Sequence, residues 1–125
     1  MKLVVHPFPS HRIVDAWREA ASSGWLLHSP TEMRCGVGGA LRQREITNLD
    51  DAVLQSDIFA GIDCDDPSLL TAFAAVPFSR SQGFVMTIPR IVIVQRLNED
   101  AFAIAEEGVD IASEIRSSST PSIAP

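Results

Sequence analysis

The sequence predicts an α+β domain with a mainly antiparallel sheet and about three helices. Two observations lead there. Segments of helical and of extended character follow one another as helix, strands, helix, strands, helix, which builds a sheet with helices set to one side. Glycine and proline clusters cut the apolar runs into pieces of strand length, and no internal repeat organises them.

The first element is a helix from about Ser10 to Ser23. Ile13, Val14, Trp17, Ala20 and Ala21 recur at helical spacing, while Arg12, Asp15, Arg18 and Glu19 fall mostly elsewhere. Ser10 suits the N-cap, and Gly24 suits a left-handed stop. Trp25 to His28 then reads as a short strand stopped by Ser29-Pro30. Thr31 to Gly36 and Ala40 to Ile46 read as two more, with Gly36-Val37-Gly38-Gly39 as the turn or bulge between them. The imperfect alternation of Leu41 to Ile46 suits an edge strand.

Asn48 is the expected cap of a second helix reaching about Phe59, with Asp50 and Asp51 near the positive end of its dipole. Gly61 to Pro67 is a loop. Leu69 to Val76 reads as a strand buried on both faces. A turn through Ser79 to Gly83 leads into Phe84 to Gln95, rich in β-branched residues. Pro89 interrupts that run and cannot donate to a ladder, so it implies an edge, a bulge or a break. The last helix is expected from Asn98 to Arg116, on a stripe of Phe102, Ala105, Val109 and Ala112 widened by Ile104, Ile111 and Ile115. Gly108 would weaken its middle. Residues 1–116 thus form one domain, and 117–125 a flexible tail.

The totals exclude several classes. With 46% hydrophobic and 21% charged residues, the 125-residue chain has the composition of one globular domain. A net charge of −6 argues against binding a phosphate backbone, so no nucleic-acid partner is expected. Met1 to Pro7 is too short for an export signal, and no apolar stretch approaches the ~20 residues that span a bilayer. A cytoplasmic protein without a membrane partner is the expectation, with Cys35 and Cys64 as free thiols.

No candidate site outweighs its plainer alternative. Gly36 to Gly39 lacks the following helix and lysine of a phosphate loop, and a hairpin turn is the better reading. Asp63-Cys64-Asp65-Asp66 lacks the central glycine and distal glutamate of a calcium hand, so it reads as a solvated acidic turn. His6, His11 and His28 have no helical metal-pair spacing. His28 and Ser29 are adjacent, and adjacent strand residues point to opposite faces. Arg42 and Arg44 share a strand face and could grip a carboxylate, but a solvated edge explains them better. The single lysine is Lys2, at the chain terminus, where a buried lysine base is not expected. Hence no catalytic, cofactor-binding or metal residue is assigned.

Two stretches together resemble the N-terminal portion of isochorismate synthases, within the chorismate-utilising enzyme family. One is Trp25-Leu26-Leu27-His28-Ser29-Pro30-Thr31-Glu32-Met33-Arg34-Cys35-Gly36-Val37-Gly38, similar to that family's early hairpin. The other is Phe73-Ala74-Ala75-Val76-Pro77-Phe78-Ser79 with Val85-Met86-Thr87-Ile88-Pro89, similar to its buried strand ending in Pro-Phe and a second strand closed by proline. The resemblance covers roughly residues 24 to 95. Phe73-Ala74 stands where a glycine is usual, and Ser79 where an aspartate is usual.

The resemblance implies part of a larger enzyme that isomerises chorismate with magnesium, a lysine base and a glutamate acid, in siderophore or menaquinone biosynthesis. Those groups belong to the C-terminal part of such enzymes, and none is carried over to a residue of this chain. The expectation is an N-terminal scaffold that is inactive alone, ends just short of the family's lysine, and is completed by a C-terminal catalytic chain or by self-association. The alternative is a small non-enzymatic binding or interaction domain, homodimeric in one form.

Overall fold

The computed structural model describes residues 1–46, 56–74 and 83–115. In chain order the elements are β1 (Lys2–Pro7), α1 (Ile13–Ser23), β2 (Leu26–His28), β3 (Glu32–Ile46), β4 (Asp63–Cys64), β5 (Phe73–Ala74), β6 (Phe84–Arg96), β7 (Phe102–Glu106) and α2 (Ile111–Glu114). Single 3-10 turns occupy Ser10–Arg12, Ser56–Phe59 and Pro67–Leu69. The strands join one seven-stranded sheet in the order β2-β3-β6-β7-β1-β4, with β5 also paired to β6. Every pairing is antiparallel except β1 with β4. The α+β class and the mostly antiparallel sheet agree with expectation, with two α-helices among the described residues.

The sheet is built around β3 and β6, which run together from Glu32 opposite Arg96 to Ile46 opposite Phe84. Val92 and Val94 point into one core, Ile91 and Ile93 into the other. That alternation is what a strand buried on both faces requires. On one side Phe8, Ala16, Ala20, Cys35, Val37 and Ile111 complete the core under α1 and α2. On the other, Leu3, Ile58, Ile62, Leu69 and Ile88 pack beneath the 3-10 turns.

The glycine segment is not a hairpin turn. The segments read as two strands, Thr31 to Gly36 and Ala40 to Ile46, join from Glu32 onward in one strand, β3, and both halves pair with β6. Gly38 (φ 81°) and Gly39 (φ 86°) take left-handed conformations where the register shifts between Val37 and Ala40. The bulge sits opposite Pro89, which faces Ala40. A proline without an N–H is tolerated inside a central strand where the partner strand is itself irregular. Pro89 also separates the neighbours of β6 on its other side: β5 lies along Met86 and Thr87, and β7 along Val92 to Val94.

The helix expected from Asn98 to Arg116 is replaced by a turn, a strand, a second turn and the short α2. Asn98 (φ 62°) is the left-handed residue of the first turn, closed by Glu99 N–H on Arg96 C=O at 3.1 Å. Gly108 (φ 89°) serves the second, closed by Val109 N–H on Glu106 C=O at 3.3 Å. Between them Ala103 and Ala105 enter one core and Ile104 the other. Burial on two faces selects period two over the helical stripe that the same residues offer.

Three smaller corrections share a cause in tertiary contact. Ser10 does not cap α1. The helix begins at Ile13 without a side-chain cap, and Arg12 Nε instead donates to Asp15 Oδ2 at 2.8 Å. The stop at Gly24 is as expected (φ 81°). Leu69 opens no long strand: Asp66 caps a turn at Pro67–Leu69, and only Phe73–Ala74 are paired in the described part. Residues 2–7, read as no more than a short apolar run, form β1 between β7 and β4. The helix start at Asn48, residues 75–78, the turn from Ser79 as far as Gln82 and the tail lie outside the described residues, and only Ser56–Phe59 of the second helix is seen, as a 3-10 turn. Among the described residues no helix is long and apolar enough to cross a membrane.

Candidate functional site

The sequence-derived candidates are spread over the molecule, and most are engaged in holding the fold. The N–H of Gly38, freed from the ladder by the bulge, donates to Glu19 Oε2 of α1 at 3.0 Å. A carboxylate therefore occupies the place that an anion would need. Asp65 pairs with Lys2 at 3.3 Å, whereas Asp66 accepts from the Ser68 backbone at 3.0 Å and hydroxyl at 2.7 Å. Among the described residues no group of three His, Cys, Asp or Glu could hold a metal.

The histidines are equally separate. His6 Nε2 lies 3.0 Å from Glu106 C=O, and His11 is exposed. Ser29 Oγ is bound within its own turn, donating to Glu32 C=O and accepting from Glu32 N–H, both at 3.1 Å. It is not poised as a nucleophile for His28. Arg42 spans to Ile58 C=O and Ala60 C=O at 2.6 and 2.7 Å, pinning the 3-10 turn against β3. Arg44 is likewise not free. Cys35 is buried, and desolvation, helped by Glu19, pushes its thiol up to about 12. It is therefore inert at neutral pH; Cys64 is half-buried and free.

One cluster escapes sequence reasoning. Glu32 and Arg34 share a face of β3, and the register places Arg96 of β6 directly opposite Glu32. Arg34 Nε donates to Glu32 Oε1, and Arg96 Nε to Glu32 Oε2 at 3.2 Å. Arg34 reaches further with Nη1, to Ser68 C=O at 2.9 Å and Thr71 Oγ1 at 2.8 Å. Arg96 lies over the Phe102 ring, 5.5 Å from its centroid. The i, i+2 pair is legible in the sequence; Arg96 and Thr71 are not, because only the register and a loop bring them in.

Two cavities meet at this cluster and share His28, Ser29 and Glu32. One, of about 520 Å³, is walled by Leu27, Phe59, Leu70, Ala72 and Met86, with Arg34 and Thr71 at its polar side. The other, of about 400 Å³, lies between Trp17 and the Leu97–Asp100 turn. Ser29, Glu32, Arg34 and Thr71 at the first cavity are bonded to one another or to backbone, so the arrangement binds segments of the chain together. It presents no nucleophile activated by a base.

The Arg34 guanidinium, more than that of Arg96, holds the Glu32 carboxyl below the usual carboxylate range against the opposing effect of burial. With the folded value depressed, its contribution is present above the unfolded value and lost as pH falls through the folded one. Glu32→Gln is expected to cost about 1–2 kcal/mol at pH 7. In urea titrations the gap between variant and parent should close by pH 3; a constant gap would show that the charge is not the stabilising element.

Comparisons with protein-family models, with curated proteins and with solved structures return no match.

Proposed function

We propose that this chain is the N-terminal scaffold of an isochorismate synthase-like, chorismate-utilising protein, contributing sheet and not chemistry. The observation that carries this reading is the outer side of β3. β2 pairs with it only at Met33 to Cys35, and from Val37 to Ile46 its described partner is β6 alone. Leu27 and Val85 are 53% and 45% exposed, large for side chains of a finished sheet. Among the described residues that edge has no second partner and lies beside exposed apolar groups, which suits a sheet that receives further strands. The β2–β3 hairpin also falls in the stretch that carries the resemblance, whereas β6 continues through Pro89 where the family strand is closed by proline.

Magnesium, implied for the whole enzyme, finds no cluster of three ligands among the described residues. In such an enzyme its binding, like the lysine and glutamate chemistry, would fall to the C-terminal catalytic part. The pure chain is expected to leave chorismate unchanged in a coupled assay. Mixed or co-produced with a C-terminal catalytic fragment of an isochorismate synthase, it should restore isochorismate formation. Turnover by the chain alone, or a fragment indifferent to its presence, would overturn the reading.

One observation favours a second reading, a small non-enzymatic binding domain. Both sheet faces are already covered, each over its own buried cluster. Such a domain would elute as a compact monomer or defined dimer and leave an apolar dye dark. The scaffold reading expects self-association and dye binding.

A further inference from the structure

We propose that residues 67–72 form a strap that opens as a unit over the apolar cavity, held shut by Arg34 and positioned through Glu32. The strap is poorly tied to the sheet. It lies between β4 and β5, each only two residues long. Its own backbone bonds are local, Leu69 N–H to Asp66 C=O at 3.0 Å and Leu70 N–H to Pro67 C=O at 3.1 Å.

What joins it to the sheet is side-chain contact. Leu69 is buried in the second core, and Arg34 reaches the strap at both Ser68 C=O and Thr71 Oγ1. Arg34 is aimed by Glu32, which Arg96 steadies from the neighbouring strand. Leu70, Thr71 and Ala72 form one wall of the 520 Å³ cavity. Leu70 and Ala72 also rest against the second core, so releasing the guanidinium removes the polar hold on that wall and leaves it on apolar contact alone, over Phe59 and Met86. Among the described residues Arg34 is its polar tie to the sheet, and segments with few sheet bonds are where sub-global opening starts.

Native-state hydrogen exchange on the full chain tests this. In the parent protein the Ser68, Leu69 and Leu70 amides should exchange by an opening nearly independent of added urea. Amides of the β6–β7 ladder should instead show the steep urea dependence of global unfolding. Glu32→Gln should speed the strap amides about ten-fold, the loss of one charge-assisted tether. Thr71→Val, which leaves the charges in place, should do the same to a smaller degree. Strap amides that follow the urea dependence of the β6–β7 amides, or that neither substitution speeds, would overturn the proposal.

Discussion

Ala103→Asp is expected to destabilise the protein by about 4 kcal/mol or more, because it places an unpaired charge in a closed core. Ala103 is fully buried, with Ile93 of β6 on one side and His6 of β1 on the other. The alternation along β7 sends it into the cluster beneath α1. A helix over this segment, with its stripe on Phe102, Ala105, Val109 and Ala112, would leave Ala103 off the buried face and make the change nearly neutral. Urea unfolding separates the two, since about 4 kcal/mol is much of the 5–15 kcal/mol that holds a domain. A loss under about 1 kcal/mol would contradict β7 itself.

Gly36→Ala is the second large effect, and its origin is steric. A Cβ at Gly36 would overlap Pro89 Cγ, come within 2.8 Å of Pro89 Cβ, and meet Trp25 Cβ at 3.3 Å. The strand cannot slide away. Gly36 N–H is bonded to Trp25 C=O at 2.9 Å, and Trp25 N–H to Ala20 C=O at the end of α1, also at 2.9 Å. A rigid ring against a pinned backbone leaves overpacking unrelieved, at a cost of about 3 kcal/mol. Removing the ring with Pro89→Gly should recover a large part of it. A double-mutant cycle in urea should then give a coupling above about 1 kcal/mol. Additive effects would place the strain elsewhere.

These two sites show where local reading stops. Gly36 to Gly39 announces a special backbone, and the sequence permits either a turn or a bulge. The choice depends on whether the following strand returns on its predecessor or continues with it along a third, and only β6 answers that. Pro89 poses the same ambiguity from the other side. Each irregularity is tolerable because it faces the other, a relation between residues far apart in the chain.

Phe102 to Ile115 carries a helical stripe and an alternating run at once. Asn98 and Gly108 can serve as helix cap and helix flaw, or as two left-handed turn residues. Packing decided for the turns, since β6 and β1 offer a vacant ladder position and two cores to fill. The Glu32 cluster was half legible for a similar reason. A same-strand pair at i, i+2 can be read locally, while Arg96 arrives by register and Thr71 by a loop.

What the sequence by itself determined is therefore what one segment can settle alone. That includes the amphipathic α1 with its left-handed stop at Gly24, the short strand read at Trp25 to His28 and found at Leu26–His28, the β-branched run that became β6, and the α+β class. Tertiary structure decided the rest: that two glycine-separated segments are one strand, that a stripe of helical period is a strand between two turns, and which charges meet at Glu32. The physical reason is that burial on two faces and register across a ladder are energies of pairs. A single segment holds only one member of each.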